Sequence, residues 1–424
     1  MQTSSDAVQD FDLMLEAYGR LAVTGALNLQ RGQRLLVLGP LAHGGVSLEA
    51  APLVRTIVAA AYDAGAPLVE VLWGDEALLR ARFAQAPRDS FEASSRWLAD
   101  VLAAHVDAGD AVLSVYANDP DLLKDAPPDL VSALQQATAR SVRPFRERIS
   151  RNATNWTVVA AAGAGWADKV FPGRPPAEQQ ACLWAEIARL CRLTHASPAE
   201  AWEQHLDRLA NRRDVLNGRR YSALHFTNAT TDLTVGLPAG HVWVSGRSET
   251  GRGTWFAPNL PTEEVFTMAD ATRVEGHVRS SKPLSYGGTL VEGFSLRFEG
   301  GRVVDVRADR GHDVLRALVA TDDGAGRLGE VALVPHSSPV AQAGVLFYNT
   351  LFDENAASHV ALGSAYRFTM EGGESMSDDA FERAGGNRSA IHVDFMIGSA
   401  DTDVDGIGAG GSREPLMRGG EWVA

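Results

Sequence analysis

The sequence predicts an α/β protein of more than one domain. An N-terminal α/β domain (residues 1–195) has a mainly parallel sheet. A C-terminal α+β region (196–424) includes a small antiparallel, barrel-like part at about 221–306. Three observations predict this. Four short apolar runs alternate with helical stretches in the first half. Short alternating runs punctuated by glycine follow Tyr221. The chain has 424 residues, 45% of them hydrophobic, enough to bury the cores of two or three domains.

The first strand candidate is Arg34–Pro40 (RLLVLGP), followed by a helix at Leu48–Ala64. Pro67–Trp73 (PLVEVLW) is the second strand, with a helix at Glu76–Gln85. Ala111–Tyr116 (AVLSVY) is the third, with a helix near Pro128–Ala139. Asn155–Ala162 (NWTVVAAA) is the fourth, with a helix at about Pro176–Leu193. The turn GPLAHGG (39–45) fits neither G-x-G-x-x-G nor the P-loop pattern and reads as a strand-to-helix connection. A helix at Pro198–Leu216, stopped by Asn217-Gly218, leads into the second half. There EGGR (299–302), set between two alternating runs, predicts a hairpin.

The formal net charge is −14 and the pI about 5.3, so nucleic acid and anionic lipid are poor partners. No run approaches the ~20 apolar residues that span a bilayer. The start, MQTSSDAVQDFDLML, lacks a secretory pattern, which predicts a cytoplasmic protein. The Asn-x-Ser/Thr triplets at Asn152, Asn228 and Asn387 then read as chance. Cys182 and Cys191, expected on one helix, are too far apart for a disulfide.

Residues able to hold metal concentrate in the second half. HVD (392–394) puts His392 and Asp394 on one face of a strand, because side chains two apart share a face. Glu263 and Glu264 follow a proline turn, and Glu330 begins a strand in GEVALV. LFDENAASHVALGSAY (351–366) carries Glu354, His359 and Tyr366. Its alanines predict a helix with His359 and Tyr366 on one face and Glu354 in a turn before it. Each residue alone has an ordinary reading, as a satisfied core histidine or a surface carboxylate. Together, Glu264, Glu330, Glu354 and Asp394 supply four negative charges, which two divalent cations balance, and His359 and His392 add neutral nitrogen donors. Two cations ~3.5–4 Å apart can activate a shared water and clamp a hydrolytic transition state. Glu263 is the candidate general base, since it adjoins Glu264 and is not needed as a ligand; it also reads as a supporting or surface carboxylate. His336 with Ser337 or Ser338 lacks a third orienting group. DTDVDG (401–406) lacks the glutamate of a calcium loop and reads as a turn.

The stretches NLPTEEVFT (259–267), KPLSYGGTLVEGFSLRFEGGRVVDV (282–306), LGEVALVP (328–335), GVLFYNTLFDENAASHVALGSAY (344–366) and SAIHVDFMIGSADTDVDGI (389–407) resemble, in order, the thermophilic-type metallo-aminopeptidases. These are the M29 peptidases called aminopeptidase T, S or II. NWTVVAAAGAGWADKVFP (155–172) carries a looser match. The resemblance implies that Glu264, Glu330, His359, His392 and Asp394 are metal ligands, with Glu330 bridging and Glu354 a sixth. It places Tyr366 beside the metals, as donor to the oxyanion or as a weak ligand. It further implies two divalent ions (zinc, cobalt, manganese or magnesium), peptide substrates with a free N-terminus, and a cytoplasmic homodimer whose catalytic domain encloses a chamber. The expected reaction is hydrolysis of the first peptide bond by a water activated between the metals. TMADATR (267–273) and AAAGAG (160–165) differ from the usual family segments without removing a ligand, and bear on substrate preference. The alternatives are a dinuclear hydrolase of another amide or ester, and a peptide-binding homologue without catalysis.

Overall fold

The computed structural model describes residues 4–286 and 289–423. The chain forms two compact units, Met1–His205 with Arg247–Pro261, and Leu206–Gly246 with Thr262–Ala424. The division falls inside the helix Pro198–Arg219 rather than before it, and Arg247–Pro261 returns to the first unit.

In the first unit, strands β1 (Leu35–Leu38), β2 (Val69–Val71), β3 (Ala111–Tyr116) and β4 (Trp156–Ala160) form a parallel sheet in the order β2-β1-β3-β4. Each lies within its expected run. Helices Ala51–Asp63, Glu76–Gln85, Pro128–Ser141 and Pro176–Leu190 follow, and Asp75 caps the second by accepting from the Ala77 N–H. Two long helices, Ser4–Arg20 and Arg96–Asp107, were not expected. Cys191 stands just past the end of its helix, and both cysteines are free. The GPLAHGG turn is the expected connection. Gly45 has φ of 136°, and a Cβ there would strike the Leu72 carbonyl.

The principal strands of the second unit are β5 (Ala223–Asn228), β6 (Thr231–Gly236), β7 (Val265–Thr267), β8 (Val274–Arg279), β9 (Ser295–Glu299), β10 (Arg302–Arg307), β11 (Leu328–Leu333), β12 (His359–Gly363), β13 (His392–Met396), β14 (Asp403–Ile407), β15 (Arg413–Arg418) and β16 (Glu421–Trp422). Eight of them form an antiparallel sheet in the order β10-β9-β8-β6-β5-β14-β15-β16. Among the described residues no pairing joins its two end strands, so closure into a barrel is not seen. The predicted hairpin joins β9 to β10, and Gly300 and Gly301 have φ of 56° and 76°, as a tight primed turn requires. The carboxylates of DTDVDG lie partly on β14, a strand rather than the expected turn. Asp403 accepts from the Gly419 N–H, and Asp405 pairs with Arg418.

A second antiparallel sheet has the order β7-β11-β12-β13. Its inner face carries Val331, Leu333, Val360, Leu362 and Phe395 into a core shared with Leu224, Phe226, Leu233 and Val235 of the larger sheet. Phe294 and Phe395 meet there with ring centroids 5.3 Å apart. Asn387 is buried, and its side-chain amide donates to the Gly324, Arg327 and Gly363 carbonyls, which tie β11, β12 and the approach to β13 together. It therefore serves the fold and not a glycan. Among the described residues no helix is long and apolar enough to cross a membrane.

Candidate metal centre

Residues directly opposite one another in a sheet share a face. Phe266 on β7 stands opposite Ala332 on β11, which stands opposite His359 on β12, which stands opposite Met396 on β13. One row along, Glu330 faces Ala361, which faces Asp394; in the next, Gly363 faces His392. The outer face thus gathers Glu330, His359, His392 and Asp394 around a floor of Ala332, Ala361 and Gly363. The floor stays low because these residues are small. At Gly363, φ is 101°, and a Cβ would collide with the Ile391 carbonyl.

His359 therefore sits on a strand, not on the expected helix, and shares no helix face with Tyr366. β12 has core on one side and the site on the other, so all five of its residues are buried and it shows no outward alternation. Glu354 does lie in a turn, the short 3₁₀ segment Glu354–Ala356, but it follows the helix Thr350–Asp353 and leads to a strand. Glu264 directly precedes β7. Glu263 is buried, and its N–H donates to Asn355 Oδ1 at 2.6 Å. Tyr366 follows β12, with its ring 4.7 Å from that of His392.

His359 Nε2 lies 3.2 Å from Glu264 and 3.6 Å from Glu330. His392 Nε2 lies 3.7 Å from Glu330 and 3.4 Å from Asp394. Two groups with metal-ligand spacing result, Glu264–Glu330–His359 and Glu330–His392–Asp394, and Glu330 belongs to both. The other ring nitrogens are committed elsewhere. His359 Nδ1 is 3.1 Å from the Ala357 carbonyl, and His392 Nδ1 is 2.7 Å from that of Ser364. With the other nitrogen so engaged, each Nε2 points towards the carboxylates, the arrangement of a metal-ligating histidine. Asp394 Oδ1 is buried without a well-formed hydrogen bond, as suits an oxygen meant for a cation. The oxygen and nitrogen donors, without thiolate, fit a divalent metal.

The charges press on one another. Burial pushes Glu330 up to about 7, helped by Asp394 and Glu264 and resisted by the two histidines. Burial likewise raises Glu354, with Glu264 and Asp394 adding to it. Burial opposes the imidazolium of His359, yet Glu264 and Glu330 hold its pKa well above the ordinary range. His392 is driven the same way, mainly by Asp394 against burial, up to about 10. Burial would raise Asp394, but the charges of His392 and His359 keep it below the usual carboxylate range. The Tyr366 phenol is raised by burial of its hydroxyl and then by Glu330 and Asp394, so it remains an O–H donor, although 36% of the residue's surface is exposed.

The remaining candidates lie outside this cluster. Ser338 caps the helix Pro339–Gln342, and Ser337 bonds Glu421, so neither pairs with His336 as a nucleophile. Arg367 and Arg388, which flank site residues in the sequence, are tied to Asp378, and Arg388 also to Glu382. Sequence reasoning missed the small floor, Asn355, Asn387 and the partly exposed Phe266. The Ala and Gly spacing in HVALG was the available signal for the floor.

The chain matches the model of the family described as thermophilic metalloprotease (M29) over residues 11–422. It is 47% identical over 413 residues to aminopeptidase T of Thermus thermophilus, covering 97% of this chain and 99% of that protein. It is 44% identical over 416 residues to aminopeptidase AmpS of Bacillus subtilis, covering 98% and 100%. The solved structure of wild-type AmpT from Thermus thermophilus superposes with a TM-score of 0.91 at 46% identity, over 98% of this chain and 100% of that one. With site chemistry, sequence and fold in agreement, this chain belongs to the thermophilic metalloprotease family M29.

Proposed function

We propose that this chain is a metal-dependent aminopeptidase that removes the first amino acid from peptides, with two divalent ions held by Glu264, Glu330, Glu354, His359, His392 and Asp394. The observation that carries the reading is Glu330, common to two ligand groups whose imidazoles are both fixed with Nε2 inward. The activities in the names of the relatives support it. Bound divalent cations supply Lewis acidity, which polarises a carbonyl and acidifies water at neutral pH. Glu263 takes the proton of the attacking water and passes it to the leaving amine. The Tyr366 hydroxyl, kept protonated, donates to the oxygen that becomes negative at the tetrahedral carbon. Glu354, beside the shared cluster, completes the balance of four carboxylates against two dications. Zinc, cobalt, manganese or magnesium as the metal, and a cytoplasmic homodimer as the working form, rest on family resemblance.

The test is elemental analysis paired with hydrolysis of leucine p-nitroanilide, before and after chelation, for wild type and Glu330→Gln. The expected result is about two ions per chain, consistent with a two-metal site, and activity that chelation and the substitution both abolish. A metal-loaded wild type inactive on aminoacyl anilides but active on another ester would replace the peptidase reading. A wild type that takes up no metal would overturn it.

A further inference from the structure

Every other phenylalanine of the second unit is buried; Phe266 and Phe368 are not. These two touch each other and Tyr366, beside the centre. Tyr366 and Phe368 stack with centroids 5.2 Å apart and planes at 16°. Phe266 meets both edge-on, at 6.4 Å from Tyr366 and 6.3 Å from Phe368. Tyr366 in turn packs against the His392 ring. Phe266 is two residues from Glu264 on the outer face of its strand, opposite Ala332 and in the row of His359. Three rings thus make a continuous apolar wall at the edge of the ligand cluster. Ring area left open costs free energy that an apolar group covering it recovers. No cation serves the wall from Arg367, whose guanidinium bonds the Gly373 and Met376 carbonyls and Asp378 and lies over the Phe381 ring. The rings themselves offer an acidic side chain no ion-pair partner, so burying its charge against them goes uncompensated.

We infer that Phe266 and Phe368, braced by Tyr366, form the subsite for the side chain of the substrate's first residue. The subsite selects leucine- and phenylalanine-like N-termini over glycine and disfavours aspartate and glutamate. This rests on the aminopeptidase reading, but its test can fail separately. Phe266 and Phe368 are specificity-determining, not catalytic.

The probes are the hydroxamates of glycine, leucine, phenylalanine and glutamate, titrated calorimetrically into metal-loaded protein, since they chelate metal whether or not the enzyme turns over. In parallel, kcat/KM is measured for the matching amino-acid p-nitroanilides. Wild type should favour phenylalanine over glycine by about tenfold or more, the scale on which a hydrophobic pocket discriminates, with glutamate weakest. The double variant Phe266→Ala, Phe368→Ala should lower that ratio about tenfold with metal content unchanged, and the better-packed Phe266→Leu, Phe368→Leu should restore part of it. A ratio the same in wild type and variants, a wild type that does not prefer phenylalanine, or metal-loaded protein that binds no hydroxamate would each overturn the inference. If the hydroxamate ratio shifts as expected but no anilide is cleaved, the wall stands and the peptidase reading falls. If anilides are cleaved with an unshifted ratio, the reverse holds.

Discussion

The inner face of the sheet β7-β11-β12-β13 carries Val331, Leu333, Val360, Leu362 and Phe395, and the outer face carries Glu330, His359, His392 and Asp394. The two sets alternate residue by residue along the same strands. Strand pleat alone separates the part that folds the unit from the candidate metal centre. A slip of one residue would bury the carboxylates in the core and expose the valines, so the register is strongly specified. The comparison teaches that stability and activity should respond independently to substitutions one residue apart.

The largest expected effect comes from removing the carboxylate both ligand groups share. Glu330→Gln should cut kcat/KM well beyond the ~10–100-fold cost of losing a mere outer partner. Bound metal should fall with it, while circular dichroism stays that of the wild type. Tyr366→Phe should lower kcat by about 10²–10³ with full metal content, since only the hydroxyl is lost; an undiminished rate would remove Tyr366 from the mechanism. A sharper pair sits on β12. Leu362→Ala, in the core, should cost about 2–5 kcal/mol in denaturant unfolding yet leave metal per folded chain unchanged. Ala361→Leu, between Glu330 and Asp394, should cost about 1–3 kcal/mol and abolish metal uptake by filling the floor. Equal losses of metal in both would break the comparison.

The smallest effect is on pH. Without metal, the folded protein holds protons on Glu330, pushed up to about 7, and on His392, pushed up to about 10, that the unfolded chain releases earlier. For both groups the stability contribution is full below the unfolded pKa and drains as pH rises through the folded one. The metal-free protein should therefore lose stability from about pH 4.5 to pH 10, and the gap to metal-saturated protein should widen over that range. Denaturant midpoints with and without chelator at several pH values would check this; a gap that narrows with rising pH would contradict it.

Much of this was legible in the sequence. The four strands of the parallel sheet were readable because buried parallel strands are plain apolar runs between turns. His392 and Asp394 declared a common face through their spacing. The helix expected around His359 failed for a physical reason. Ala357, Ala361 and Ala365 look like helix formers, but Ala361 sits between Glu330 and Asp394 on the outer face, where a larger side chain would crowd them. Propensity cannot tell a helix from a strand whose small side chains make room. Nothing in the sequence marks Phe266 and Phe368, since exposure next to a site depends on contacts between segments about a hundred residues apart.

Both imidazoles are held by backbone carbonyls, His359 by that of Ala357 and His392 by that of Ser364, so their aim is set by the backbone at the two ends of β12. Exchanging one ion for another then asks little rearrangement of the protein. For any ions bound there, such a preset site would leave the choice among them to supply and to their intrinsic affinity order. Hydrogen exchange across β11, β12 and β13 should accordingly be alike with zinc, cobalt or manganese bound, even where the rates of turnover differ; strands that loosen with one ion alone would show that the protein does choose.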